Sequence, residues 1–253
     1  MKILMCADNF GGVTTTFIYN DFMYMSSKHD VQFLCTQRSN FRGINIHNVT
    51  EIGFKRGFIQ RELSKLDLLL SYRNKKYAKK LNYFVNELEP DVIHCNFGRE
   101  SLKIIDNLEN NNIPIVIQFR GYDASSALNM KSYVRRLKKV LSQKNIYPIF
   151  VSKSLRENLA DKGIMFEKSD ILYSGINLKK FIFCEKKKIS GMKIFLQISS
   201  LVEKKGQEYT IQAFSLFLKN KNKDEYKLIL TGDGSRKDSL ELLSRSLGIE
   251  KNI

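Results

Sequence analysis

Arg120, Tyr122 and Asp123 fall within four positions, directly behind the apolar run PIVIQF. A cation and a carboxylate at the end of a strand can hold a charged or hydroxylated ligand. Arg120 stays protonated, so it is no general base; it can clamp a phosphate or carboxylate, or stabilise charge on a leaving group. Asp123 can orient a ligand hydroxyl, or pair with Arg120 and hold the loop. A second cluster reads HCNFG. Of His94 and Asn96, only one is expected to face a ligand, and a lone histidine there is more often a hydrogen-bonded core residue than a catalyst. Gly11 and Gly12, in NFGG, either admit close backbone approach to a ligand or make a tight turn without one. Lys204, Lys205 and Gly206 open an amphipathic stretch, where a lysine beside a helix N-terminus attracts an anion, or where the turn has no ligand. Gly232 and Gly234 flank Asp233 at the end of KLILT, a turn signal. None of the three histidines pairs at ligand spacing, so no metal is expected.

Each cluster stands at the end of a short apolar run, and these runs alternate with helical patterns. KILMCA, VQFLC, INIHNVTEI, VIHC, PIVIQF and PIFVS read as strands, and DILYSG closes the series. Helices are expected over about 16–28, through most of the basic region 54–88, over about 101–111 and 130–141, and along SLRENLADKG. Strands separated by helices predict an α/β fold, a parallel sheet with helices on both faces. The patternless stretch 177–191, with its charge run at 186–188, reads as a linker. A second strand–helix–strand series begins at Lys193. The expected organisation is two Rossmann-like domains, residues 1–176 and 192–253, joined by the linker 177–191.

The chain is 43% hydrophobic and 11% aromatic, ample for a buried core. Cys6, Cys35, Cys95 and Cys184 are far apart without C-x-x-C spacing, and three lie in apolar runs, which points to buried free thiols. No stretch approaches the roughly 20 apolar residues of a membrane span. The apolar run after Lys2 stops at Ala7, against a signal peptide, so a cytoplasmic location is expected. Net charge is +16, concentrated from Lys55 to Lys80 and from Lys131 to Lys144, the latter without an acidic residue. Such charge meets nucleic acid, anionic lipid or anionic substrate, or simply solvates helix faces. No nucleic-acid-reading motif occurs, and aromatics do not interleave with the basic runs, so nucleic acid is not an expected partner. Phe54, Phe58, Ile59, Leu63 and Leu66 share a helical face beside cations, which suits an anionic membrane surface at the inner face of the plasma membrane, or packing on the chain's own sheet.

Taken in order, the motifs resemble those of family-4 glycosyltransferases of the GT-B fold, over nearly the whole chain. TTTFIYND is similar to the family's S-E-T-F-V-x-N, with Thr15 where many relatives have Glu; HCNFG to H-A-H-F-G, with Asn96 for the second histidine. IQFRGYDASS resembles F-H-G-Y-D-x-S, with Arg120 for the histidine. The segment from VSKSL to ILYSGINLKKF resembles the stretch that closes the family's first domain, with Ser174 for an asparagine. SSLVEKKG is similar to G-R-L-x-x-x-K-G, with Ser200 for the arginine.

The resemblance implies two Rossmann-like domains, and retaining transfer of a sugar from a UDP- or GDP-sugar to a cell-surface polysaccharide or lipid-linked glycan, without metal or other cofactor. It implies capsular, colanic-acid-like or O-antigen (lipopolysaccharide) biosynthesis. Arg120 and Asp123 take the catalytic positions; Gly11, Gly12, Lys205, Gly206, Gly232 and Gly234 the donor side; Asn96 and Tyr122 the acceptor side. In the family a pair of glutamates lies well beyond the GDG turn, and only Ser235 to Ile253 follow here. The second domain is therefore expected to be incomplete, and the chain inactive alone or completed by a partner chain. The alternatives are a truncated inactive relative, or a non-catalytic basic module for anionic surfaces or nucleic acid.

Overall fold

The computed structural model describes residues 1–12, 15–39, 47–53, 74–110, 112–183 and 191–253. The apolar face expected between Phe54 and Leu66, and Cys184, lie outside the described residues. The chain divides into two compact units, Met1–Ile176 and Asn177–Ile253.

In the first unit the strands are β1 (Lys2–Phe10), β2 (Asp30–Arg38), β3 (Val49–Glu51), β4 (Val92–Asn96), β5 (Ile115–Phe119), β6 (Ile146–Phe150) and β7 (Asp170–Ile171). The helices are α1 (Thr16–Ser26), α2 (Lys75–Leu88), α3 (Gly98–Asn107), α4 (Lys131–Leu141) and α5 (Lys153–Asp161). All strand pairs are parallel, in the order β3-β2-β1-β4-β5-β6-β7. This is a Rossmann-like α/β sheet with one strand added.

β1 is apolar on both faces because both are covered. Ile3, Met5 and Ala7 join Ile18, Phe22 and Phe33 in one cluster, where Phe10 lies 4.5 Å from Phe33 between ring centroids. Leu4 and Cys6 face the other cluster, with Leu81 and Val85 of α2, Leu102 of α3, Leu137 of α4 and Leu159 of α5. Cys6, Cys35 and Cys95 are buried free thiols, and burial pushes Cys35 up to about 12.

Local chemistry sets the helix ends. Asn74 caps α2 by accepting from the Tyr77 amide, and Glu89 closes it in a left-handed conformation just before Pro90. Ser152 caps α5 through the Leu155 amide. α3 starts earlier than its apolar pattern predicts and ends at Asn107, whose carbonyl accepts from Asn82 Nδ2 at 2.8 Å. The expected strand INIHNVTEI contributes Val49–Glu51 among the described residues, and DILYSG only the short β7.

The second unit contains β8 (Lys193–Ile198), a 3₁₀ turn at Glu203–Lys205, α6 (Gln207–Leu218), β9 (Tyr226–Thr231) and α7 (Lys237–Ser246). β8 and β9 pair in parallel, separately from the first sheet. Ile211, Phe214 and Leu218 of α6, Leu228 of β9 and Leu240 of α7 make the core. The other face of β8 is open, with Ile194, Leu196 and Ile198 exposed by 59%, 58% and 72%.

Candidate functional site

In the first unit the strand order reverses between β1 and β4. α1 leaves one and α3 the other toward opposite faces, which opens a crevice at their carboxyl ends. Arg120 enters from the end of β5. Its Nη2 donates to Asp21 Oδ2 at 2.6 Å, Gln118 Oε1 at 2.7 Å and Asn96 Oδ1 at 2.9 Å. Its Nε donates to Asn96 Oδ1 at 3.1 Å, and the guanidinium carbon lies 4.6 Å from the Phe17 ring centre. The Arg120 side chain is 5% exposed, that of Asp21 41%. Desolvation pulls the guanidinium below its ordinary value and Asp21 opposes this; the group remains a cation.

His94 Nε2 lies 3.0 Å from the same Gln118 oxygen. An amide oxygen only accepts, so Nε2 carries the histidine proton. Burial, then the nearby Arg120 charge, holds His94 down to about 4, so its ring is neutral. This corrects the expectation that only one of His94 and Asn96 faces the crevice. Residues two apart on a strand share a face, and both are tied into the Gln118–Arg120 network. Asn96 is fully buried, its Nδ2 donating to the Cys6 carbonyl at 3.3 Å.

Asp123 does not pair with the Arg120 guanidinium. Its carboxylate accepts from the Gly98 amide at 2.8 Å, the Gly121 amide at 2.9 Å and the Arg120 amide at 3.2 Å. It is 2% exposed; burial pushes its carboxyl up while these backbone donors pull it down. Tyr133 Oη donates to the Asp123 carbonyl, and Asn158 Nδ2 to the Ala124 carbonyl. The loop after β5 is therefore clamped onto α3, α4 and α5. Phe97, just before α3, has φ of +67°, a strained value at a ligand-binding position of the fold. Tyr122 is 57% exposed on the same loop.

Gly11 has φ of +79°, and a Cβ there would lie 2.5 Å from the Ser39 carbonyl oxygen, so the exit of β2 leaves no room for a side chain. The Thr15 amide and hydroxyl close the turn onto the Gly12 carbonyl.

In the second unit Lys205, Gly206, Gly232 and Gly234 gather at the carboxyl ends of β8 and β9. Gly206, at φ of +67°, caps α6. By helix geometry the first amides of α6 have no partner within the helix and present positive charge outward. Gln207 Nε2 pins that end to β8 through Ser199 Oγ at 2.9 Å and the Ser200 carbonyl at 2.8 Å. The Lys205 side chain is exposed, and among the described residues it makes no ion pair. A Cβ at Gly232 would collide with the Ser199 carbonyl, and one at Gly234 with the Leu201 carbonyl. The Leu201 amide donates to Asp233, and the Arg236 amide to Leu201. The GDG turn thus interlocks with the SSL exit of β8.

Sequence reasoning missed Asp21, Gln118 and Lys103. Gln118 was signalled by a lone amide inside PIVIQF. Lys103 is a buried lysine of α3, paired with Asp8 and donating to Thr36 Oγ1 at 2.9 Å.

Residues 10–180 match the family model described as Glycosyltransferase Family 4, and residues 179–253 that described as Glycosyl transferases group 1. No curated protein matches the chain. Among solved structures it is similar to Anabaena HepE in complex with UDP-glucose, at 15% identity and a TM-score of 0.69, over all of this chain and 67% of that one. It is also similar to the lipopolysaccharide outer core galactosyltransferase WaaB in its apo form, at 16% and 0.65, over all of this chain and 66% of that one. A glycosyltransferase from Rickettsia africae gives 15% and 0.69, again over all of this chain and 66% of that one. At these identities the likeness shows the fold. The chain spans about two thirds of the length of these relatives.

Proposed function

Because the chain belongs to glycosyltransferase family 4, we propose that its second unit binds the diphosphate of a nucleotide-sugar and that the protein serves sugar transfer to a cell-surface polysaccharide or lipid-linked glycan. The carrying observation is the exposed Lys205 beside the glycine-capped N-terminus of α6, while the GDG turn interlocks with the Ser199–Leu201 exit of β8. Negative charge grows on the departing diphosphate as the sugar leaves, and a lysine with aligned amides stabilises that charge more than the ground state. The reading is a retaining transfer without metal. UDP is the preferred nucleotide, as in the HepE complex with UDP-glucose. The polysaccharide class is capsular, colanic-acid-like or O-antigen, as the lipopolysaccharide galactosyltransferase WaaB supports.

In the first unit the roles divide by exposure. Tyr122 and Asp21 are in reach of an acceptor hydroxyl. Arg120, Asn96 and Asp123 are buried and act through their neighbours, Arg120 by holding Asp21 and Asp123 by holding the loop that carries Tyr122. We infer a place on the cytoplasmic side of the membrane, where nucleotide-sugar donors are found. No helix among the described residues is long and apolar enough to cross it.

Isothermal titration with UDP, GDP and their sugars tests the donor site. The chain is expected to bind one nucleotide pair. Lys205→Ala should weaken that binding by about 10- to 100-fold, the loss of one charge-assisted contact. Unchanged affinity in the variant would remove Lys205 from the site, and no binding of any nucleotide at millimolar concentration would sink the reading.

A further inference from the structure

We propose that Asp8 is a second anchor for the acceptor, on the α3 side of the crevice where Asp21 is on the α1 side, and that the two acids select a neutral, hydroxyl-bearing sugar over a phosphate or a uronic acid. This rests on the sugar-transfer reading and names the class of its acceptor.

The two sides are built alike. On one, Arg120 is 5% exposed and holds Asp21, which is 41% exposed, by Oδ2. On the other, Asp8, near the end of β1, accepts from Thr36 Oγ1 of β2 at 2.8 Å. Asp8 also pairs with Lys103 of α3, whose Nζ donates to Thr36 Oγ1 at 2.9 Å. The Lys103 side chain is 8% exposed and that of Asp8 49%. In both pairs a buried cation grips a half-exposed carboxylate by one oxygen, Oδ2 of Asp21 and Oδ1 of Asp8. Among the described residues the other oxygen of each acid has no partner. The pairs lie on opposite faces of the sheet. Cys6, two positions before Asp8, packs in the cluster with Leu102 of α3, and Ile18 and Phe22 of α1 pack in the other.

Stability alone does not ask for Lys103. A buried ammonium loses its hydration, and an apolar side chain in its place packs without that loss. Burial pulls Lys103 down to about 8, so it is still a cation at neutral pH. Its position fixes one oxygen of Asp8 and leaves the other aimed out of the protein.

The ligand class follows from this arrangement. A carboxylate oxygen has two lone pairs and accepts from two adjacent hydroxyls. Already held in place, it loses little freedom when a sugar binds. An anion meets two carboxylates instead, and the cations beneath them are engaged by those same acids. Arg38, at the end of β2, and Arg99, in the first turn of α3, also have partners of their own. Tyr122, 57% exposed, offers a ring to the apolar face of a sugar.

The test is a ligand-observed NMR titration of the full chain with the methyl glycosides of glucose, galactose and mannose, each beside its uronic-acid counterpart. At least one neutral glycoside is expected to saturate in the millimolar range, about 10-fold or more tighter than its uronate. Asp8→Ala alone strands a buried lysine, so the main variant is the double Asp8→Ala, Lys103→Met, which removes both charges together. It should bind the neutral glycoside about 10- to 100-fold more weakly, with UDP affinity unchanged and melting no lower. Lys103→Met, which keeps Asp8 without its anchor, should fall between the double variant and the wild type. A purely structural ion pair would move melting and leave the preference for neutral over acidic sugar as it was. The idea fails if no neutral glycoside binds at millimolar concentration, if a uronate binds as tightly as its neutral counterpart, or if the double variant binds like the wild type. Sugar binding without UDP binding would sink the donor reading and leave this one standing; UDP binding without sugar binding would do the reverse.

Discussion

Arg120 Nη2 and His94 Nε2 donate to one oxygen, Gln118 Oε1, so the amide locks an arginine and a neutral histidine side by side. A second acid near this network, half-buried, is out of its usual range. Burial pushes the Glu100 carboxyl, in the first turn of α3, from 4.5 up to about 7, with Asp123 adding to the shift. The folded chain therefore holds a proton on Glu100 that the unfolded chain releases above about 4.5, and stability falls as pH rises from there to about 7. His94 works the other way. Its value falls from 6.5 to about 4, so stability is lost as pH drops through that window. Between about pH 4.5 and 6.5 the two slopes oppose each other. Glu100→Gln removes one of them. It should raise unfolding stability by about 2–3 kcal/mol at pH 8 and leave it unchanged at pH 4, read from urea midpoints. Equal midpoints at pH 8 would show that Glu100 is solvated in the native chain.

At the scale of elements, Gly98 shows how tightly the clamped loop is built. In an ordinary exposed helix, glycine to alanine stabilises by up to about 1 kcal/mol. At Gly98 a Cβ would meet Tyr133 Oη and, at 2.6 Å, Phe119 Cε1. Gly98→Ala is therefore expected to destabilise, by about 1–3 kcal/mol in a urea titration; a gain would mean that α3 can slide off β5. The elements themselves were largely legible. Apolar runs such as KILMCA and PIVIQF mark strands whose two faces are both covered, and the Tyr77–Leu81–Val85 spacing marks α2. What was not legible depends on distance along the chain. Asp21 and Arg120 meet across 99 positions, and nothing local to either announces the other. Asp123 reads as a cleft carboxylate beside a cation, but the partners that take it are backbone amides, which leave no trace in residue identity. The glycines at 11, 232 and 234 were visible as turns, but the neighbouring carbonyls that demand them were not.

For the molecule as a whole, the two units are unequally covered. The seven-stranded sheet is covered on both faces. The two-stranded sheet leaves Ile194, Leu196 and Ile198 in water as a contiguous stripe on one face of β8. Exposed apolar strand faces self-associate, and a two-strand sheet resists opening poorly. Sedimentation velocity is expected to show concentration-dependent association of the chain, which Leu196→Lys should suppress without lowering the melting temperature of the first unit. Identical profiles for variant and wild type would place the contact elsewhere.

The place of β1 in its sheet also bears on how the protein is made. Its partners are β2, directly after α1, and β4, where Ile3 meets Val92. Elongation at roughly 5–20 residues per second leaves the β4 side of β1 waiting for about 3–11 s after β2 has been made. During that interval the pair β1–β2 has an unpaired backbone edge and an uncovered apolar face bearing Leu4 and Cys6. The nascent chain is thus a ready client for a ribosome-associated holdase, and a slow codon tract between residues 39 and 91 would lengthen its exposure.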